Sequence, residues 1–529
     1  MRHATLNSDS PPETEASARA ATASTPRISG AFEGPPAFHG PRRIGVRPGH
    51  PLVQRVFVSG ERPLRLEAEG LPDGVCLEGD DPFLLVGRLA AAGTTTIRLR
   101  ATNAAGKTAR DLSLVGGEQL TYAPPMGWNS WNCFGLEVTA GKVLANARAL
   151  RESGLADLGW TFVNIDGGWE ADARTPEGAV LPNPETFPDL PGLVRDIHAL
   201  GLKAGIYSSP WTRTFGGQPG CSSGPPRGHV RDEDLGWYVG EHTFETANAN
   251  QWAEWGFDYL KYDWNPMDLA AGRRMARALR QCGRDIFFNP VNSMRDEDPR
   301  AWARLADAFF LWRRREQGDR DLEDTWESVD GIGFRMSPWR AIASSGHWND
   351  PDMLALGPVG WGRPRANRLN ADEQRTHFSL WALLAGPLLM GGDLSAADPG
   401  VFGLLGNPGI LAIHQDGLGK AAARVSVEDG CEVWAKELEG GALAVGFFNR
   451  DHRASSLSFG FRENGLPPEC DVRDVWAKRE MGKQPGVDVD LPPHGCEIVV
   501  LDAEDPIPGK WIDDRAETTV EPTKRQDRF

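Results

Sequence analysis

Tyr259 to Trp264 read YLKYDW. The segment has the apolar, aromatic character of a buried strand, yet Lys261 and Asp263 stand inside it, two positions apart. Side chains at i and i+2 of a strand share a face. One face of this strand therefore carries charge close to its C-terminal end. A parallel αβ-barrel accounts for such a strand. Its interior is packed with side chains, and its chemistry collects where the strands end on their C-terminal side.

Working outward from this strand, short apolar runs alternate with helical stretches, as in βα units. Eight candidate strands follow one another: MGWNSW (126–131), TFVNID (161–166), KAGIYS (203–208), YLKYDW (259–264), DIFFNP (285–290), AFFLW (308–312), GHWNDP (346–351) and PLLMGGD (387–393). Helical patterns at 142–154, 190–201 and 373–386 separate some of them. This predicts an α/β fold, a (β/α)8 TIM barrel over 119–418. Alternating runs punctuated by Pro, Asp and Gly predict a small β-sandwich at 46–118, and strand patterns return in an antiparallel β-domain at 419–504. The Ser-, Thr-, Ala- and Pro-rich residues 1–45 read as a disordered tail, and 505–529 as a loose polar one.

Bulk properties narrow the function. The chain has 529 residues and a net charge of −16, with 40% hydrophobic and 25% charged residues. That is a soluble globular composition, and the charge disfavours nucleic acid or an anionic membrane as partner. A neutral substrate fits better than an acidic one, and a homo-oligomer is compatible. The seven cysteines are scattered without a CxxC pair, which indicates neither zinc nor a disulfide framework. No apolar segment reads as a signal or a membrane span, so the expected location is cytoplasmic.

The strand ends bring polar groups to one mouth: Asp166, Tyr207 with Ser208, Asp263, Asn289, Arg313, Asp350 with Asp352, and Asp393. Two carboxylates facing each other across a sugar are the minimum equipment for glycoside hydrolysis. Lys261, beside Asp263, is placed to keep that carboxylate ionised. Aromatic rings suit the C–H faces of sugars, and Trp128, Trp131, Trp169, Trp211 and Trp264 fall near strand ends, although barrel core accounts for at least half of them. His347 lies near the acids of GHWNDPDML, but without the several ligands a catalytic zinc needs. Neither a metal nor a cofactor is expected.

The series PPMGWNSWNCFG, VNIDGGW, FPDLPGLVRDIHALGLKAGIYSS, EWGFDYLKYDW, DLEDTWESVDGIGF, GHWNDPDML and QDGLGKAA resembles glycoside hydrolase family 27, the α-galactosidase or melibiase family. It runs in the family's order from about 123 to 420. The sandwich ahead of it resembles the immunoglobulin-like module of some bacterial members. The resemblance implies a retaining α-galactosidase with Asp263 as nucleophile. It assigns Lys261, Trp131, Tyr207 and Asp166 to sugar binding. For the acid/base it points to the loop LWRRREQGDRDLEDTW, where Asp321 is favoured and Asp319 competes, with Arg313 or Arg315 as a sugar-binding arginine. Asp350 and Asp352 are expected behind the catalytic residues.

Three departures from the family pattern stand out, the first being that the loop between Trp312 and Asp321 is about four residues longer than the resemblance implies. Most relatives carry two consecutive acids where this chain has Asp166 and Gly167. Asn265 stands where some relatives have a cysteine paired with one near Cys221. Gly167 keeps open another glycone, such as a β-L-arabinopyranoside, and the altered loop before Asp321 keeps open a sugar-binding protein without turnover.

Overall fold

The computed structural model describes residues 25–291, 299–310, 321–503, 507 and 512. At its centre stand eight strands: β1 (Met126–Asn129), β2 (Phe162–Asn164), β3 (Lys203–Ser208), β4 (Tyr259–Asp263), β5 (Phe287–Val291), β6 (Ala308–Phe310), β7 (Trp348–Asp350) and β8 (Leu388–Met390). Six pair side by side in the order β5-β4-β3-β2-β1-β8, and β6 pairs with β7. Every one of these pairings is parallel. Two seams complete the ring. Asp307 N donates to Phe288 O at 3.0 Å beside β5, and Leu354 N donates to Leu389 O at 2.8 Å beside β8. The result is the barrel that the βα rhythm predicts.

Among the described residues, six helices of eight residues or more cover the outside: α1 (Ala140–Ser153), α2 (Leu190–Ala199), α3 (Glu245–Trp255), α4 (Leu269–Gln281), α5 (Trp326–Gly333) and α6 (Ala371–Leu383). Their starts are written in the sequence. Thr139, Asp189, Asp268 and Thr325 each accept a first-turn backbone N–H, and Asn370 forms a capping box with Glu373. The sequence patterns located α1, α2 and α6, and did not separate α3, α4 and α5 from their surroundings.

Alternation along β4 resolves the puzzle of YLKYDW. Leu260 and Tyr262 point outward into the core beneath the helices. Tyr259 points inward, into a separate cluster with Phe162, Phe287, Ala308, Trp348, Met353 and Leu389. That inner cluster floors the barrel, and Trp131 packs against it. Lys261 and Asp263, on the same face as Tyr259 and further along the strand, open into the cavity above this floor. Gly205 on β3 shows how tight the interior is. A Cβ there would lie 1.9 Å from Asn164 Oδ1, so only glycine fits.

Two further units flank the barrel. Toward the N-terminus, a four-stranded and a three-stranded sheet share a core built on Val46, Leu85, Ile97, Leu99 and Leu114. The C-terminal domain has a six-stranded antiparallel sheet and a two-stranded one over their own core. The tails differ from the disorder that composition predicts. Residues 37–38 and 43–46 are strands, Ile28 and Ala31 are buried in the barrel core, and Ile28 N donates to Ser153 O at 2.9 Å. A few apolar residues suffice to pin a polar segment once a surface exists to receive them. At the other end Ile507 and Ile512 are buried against the C-terminal domain.

The N-terminal unit grips the barrel through a buried ion cluster. Asp157, just after α1, accepts from Arg55 Nη2, and its other oxygen accepts from Arg62 Nη2 at 3.1 Å. Arg55 and Asp157 are each about 2% exposed at the side chain, so removing the acid strands a cation out of water. Asp157→Ala is expected to lower stability by about 3–5 kcal/mol, the usual cost of breaking a buried pair from one side. Denaturant unfolding would measure it, and a loss under about 1 kcal/mol would mean that the arginines find water instead.

Candidate active site

The cavity at the C-terminal end of the barrel encloses about 760 Å3, its open mouth included, and is lined by Asp166, Tyr207, Lys261, Asp263, Asp321 and Trp131 among others. Each side chain is delivered by the strand geometry. Asp166 follows β2, its N–H donating to Ser130 Oγ at 2.9 Å. Tyr207 and Lys261 are register partners across β3 and β4. Asp263 closes β4. Trp131 begins the short helix after β1, where Asn129 Oδ1 accepts its backbone N–H at 2.8 Å. Asp321 reaches the same space from the segment after β6, and its Oδ2 accepts from Trp131 Nε1 at 2.7 Å.

The charges are paired differently from the sequence expectation. Lys261 Nζ donates to Asp166 Oδ2 at 2.8 Å, and Asn129 Nδ2 donates to the same oxygen at 3.0 Å. Asp263 accepts a direct hydrogen bond from Tyr207 OH, at 3.2 Å. Sharing a strand face puts Lys261 beside Asp263 in sequence terms. Its long stem reaches across to β2 instead, where Asp166 offers a buried carboxylate. Burial works against the Lys261 charge, but Asp166, Asp263 and Asp321 around it outweigh that and hold its pKa above the ordinary lysine value. Lys261 thus still contributes positive potential at Asp263. Burial first, and the Asp263 charge next, push the Tyr207 phenol well above its usual range, so it stays a hydrogen-bond donor.

Behind these residues lies a brace. Asp352 Oδ2 accepts from Leu322 N at 2.9 Å, fixing the backbone next to Asp321. Asp350 Oδ1 accepts from Asp352 N at 2.9 Å, and its Oδ2 accepts from Asn289 Nδ2 at 2.7 Å. Burial pushes the Asp350 carboxyl up to about 7, against the opposing hydrogen bond from Asn289. Asp352 adopts φ 81°, a left-handed conformation rare for a residue with a side chain.

Several expected mouth residues go elsewhere. Asp393 caps a short 3-10 helix, accepting from Ser395 N at 3.0 Å and Asn146 Nδ2 at 3.1 Å. Ser208 is buried against Cys221 Sγ at 3.3 Å. His347 precedes β7 at the opposite end of the barrel, where its Nδ1 meets Ala306 O at 2.6 Å, so it is not part of this mouth. Trp128, Trp169 and Trp264 are core, and Trp211 packs against Trp237. Arg313, Arg315 and Asp319 lie outside the described residues. Among the described residues, no group of three or more His, Cys, Asp or Glu is arranged to hold a metal ion.

The sequence reading missed Leu136, Phe215, Gly216, Arg231 and Trp237, all of which line the cavity. Arg231 and Trp237 sit on a hairpin, Ser222–Asp232 with Trp237–Thr243. Its Gly-Pro-Pro start reads as loop, and the alternation in WYVGEHT was the available signal.

Glu170 lies under the site, fully enclosed, with its Oε2 accepting from Gly168 N at 2.9 Å. Burial pushes its carboxyl up to about 8, against that hydrogen bond, from an ordinary value of 4.5. In the folded protein it therefore stays protonated at neutral pH. The unfolded chain ionises near 4.5, so folding stability is fully present below that pH and falls as pH rises toward 8. Glu170→Gln is expected to abolish this slope. Melting temperatures across pH 4 to 9 for the two proteins would show it, and parallel curves would refute it.

An acid-bearing barrel mouth with an indole and a lysine at its wall defines the class of glycoside-hydrolase barrels. Comparison then gives the family. The chain belongs to the alpha-galactosidase family, whose model, described as Alpha galactosidase A, matches residues 123–224 and 229–416. Residues 428–501 match the Alpha galactosidase C-terminal beta sandwich domain. The alpha-galactosidase of Oryza sativa subsp. japonica is 34% identical over 428 residues, covering 79% of this chain and 93% of its own. Among solved structures, a provisionally named alpha-galactosidase/melibiase of Bacteroides fragilis superposes with a TM-score of 0.78 at 29% identity, covering 90% of this chain and 99% of its own. A GH27 β-L-arabinopyranosidase of Geobacillus stearothermophilus, in complex with arabinose, gives a TM-score of 0.63 at 25% identity, covering 73% of this chain and 98% of its own.

Proposed function

We propose that the protein is a retaining exo-glycosidase that releases terminal α-D-galactosyl residues from neutral oligosaccharides or glycoconjugates. The observation that carries this reading is that Asp263 and Asp321 line one cavity, with Lys261 bonded to Asp166 at its wall. In the first step Asp263 attacks the anomeric carbon, and Asp321 protonates the departing oxygen. In the second step Asp321 takes a proton from water, which displaces Asp263 and completes hydrolysis. Tyr207 and Lys261 steady the Asp263 carboxylate, and Trp131 both orients Asp321 and offers its ring to the sugar. Trapping with a 2-deoxy-2-fluoro glycosyl donor and mapping the labelled peptide tests the assignment. Label is expected on 259–264, and label elsewhere would remove Asp263 from its role.

A second glycone is favoured by one observation. Gly167 replaces the second acid, and a Cβ there would already lie 3.3 Å from Tyr207 Cε1. The phenol ring fills the space next to Asp166, so that part of the wall offers ring carbon instead of a carboxylate. A sugar lacking the C6 hydroxymethyl group, such as a β-L-arabinopyranoside, loses less there than a galactoside. Relative kcat/KM on the two nitrophenyl glycosides decides between them. We also read the N-terminal unit, with its two sheets over one core, as an immunoglobulin-like module that packs on the barrel without contacting substrate. A cytoplasmic setting agrees with Cys221, which is buried against the Ser208 hydroxyl as a free thiol.

A further inference from the structure

The cavity residues that did not emerge from the sequence reading cluster on one side, around the hairpin that follows β3. This hairpin is fastened to the loop before it. Tyr238 O accepts from Thr212 N at 2.9 Å, and Gly236 O accepts from Arg213 N at 3.1 Å. Trp237 Nε1 donates to Thr214 O at 3.2 Å. The match to the family model breaks between 224 and 229, within the first strand of this hairpin. The strand that carries Arg231 thus includes a stretch on which the family pattern makes no claim.

Three rings form a block at its base. Trp211, Phe215 and Trp237 lie with centroids 5.0 to 5.8 Å apart. The Arg231 guanidinium lies over this block, 5.3 Å from the Trp237 centroid and 5.6 Å from that of Phe215. A planar cation held by two ring faces is attracted to them and loses little further freedom on binding. Nη1 also donates to Asn265 O at 3.4 Å.

The position of this group determines its partner. Asp166, Lys261 and Trp131 come from strands or strand ends directly above the barrel floor, where a terminal sugar would be held. The hairpin rises from a loop, its 224–229 stretch is exposed, and Phe215 and Trp237 are only half-buried. In an exo-acting enzyme the leaving group points from the floor toward such a rim. A guanidinium has N–H donors and no acceptor, so it recognises oxygen lone pairs.

We propose that Arg231, held by Phe215 and Trp237, binds the leaving-group side of the substrate by donating hydrogen bonds to hydroxyl oxygens of the next sugar. This rests on the glycosidase reading above. The test compares two substrates with one glycone: the glycosyl fluoride, whose leaving group offers no hydroxyls, and a disaccharide. Arg231→Met keeps much of the apolar stem and removes the donors. The ratio of kcat/KM on disaccharide to that on fluoride is expected to fall tenfold or more, mainly through KM, with Arg231→Lys in between. An unchanged ratio overturns the proposal, whether or not both rates fall together. If the methionine variant does not fold, the lysine variant gives the same ratio. Turnover of the fluoride by the unsubstituted protein tests the glycosidase reading separately.

Discussion

Replacing Asp263 with alanine is expected to cut hydrolysis by about 10^4-fold or more on every substrate, whatever its leaving group. The nucleophile acts before and after the leaving group departs, so no better leaving group can restore the rate. The protein should keep its fold. Asp263 stands at the cavity wall, where it accepts from Tyr207 OH at 3.2 Å, and its neighbour Lys261 retains its own partner in Asp166 at 2.8 Å. Melting temperature should therefore change little while turnover disappears. A small external anion such as azide, placed in the vacated space, is expected to recover part of the first step. It would yield a glycosyl azide of inverted configuration, because only one displacement then occurs. Rates within tenfold of the parent on both fluoride and disaccharide would remove Asp263 from the reaction.

The legibility of this site follows physical lines. Short apolar runs alternating with helical stretches placed all eight barrel strands, because a parallel barrel strand is buried against the floor cluster on one face and the helices on the other. Strand identity then carried Asp166, Tyr207, Lys261 and Asp263 to one cavity. Which acid Lys261 would bond to was not legible, since the answer depends on how β2, β3 and β4 register across the barrel. Hairpin residues such as Arg231 and Trp237 were missed for another reason. The strand that carries Arg231 contains Pro225, Pro226 and Gly228, which read as loop, and its pairing with the strand of Trp237 shifts register several times. Residues 25–45 read as tail because composition averages over a segment, whereas burial there depends on single residues such as Ile28 and Ala31. His347 and Asp350 show the converse limit. Three positions apart in sequence, they stand at opposite ends of one strand, and adjacency in a motif did not mean adjacency in a site.

Asp321 should behave differently from Asp263 when replaced by alanine, and the difference is diagnostic. A general acid matters in proportion to how badly the leaving group needs a proton. With a sugar leaving group, loss of the acid is expected to cost about 10^2 to 10^4-fold, the usual worth of a positioned proton donor. With fluoride as leaving group the first step should proceed at near the parent rate. The second step still lacks its base, so the glycosyl-enzyme should accumulate, visible as a burst of fluoride followed by slow turnover and as an added mass on the 259–264 peptide. Azide is expected to discharge that intermediate with retained configuration, since it needs no base. Trp131 offers an internal control. Its Nε1 donates to Asp321 Oδ2 at 2.7 Å, so Trp131→Phe keeps a ring for the sugar while releasing the carboxyl from its orientation. That variant should show a weaker form of the same leaving-group dependence. Asp319 is the comparison that decides the assignment. If Asp319→Ala gives the burst and Asp321→Ala does not, the proton donor is Asp319, and Asp321 anchors the Trp131 indole without carrying the proton.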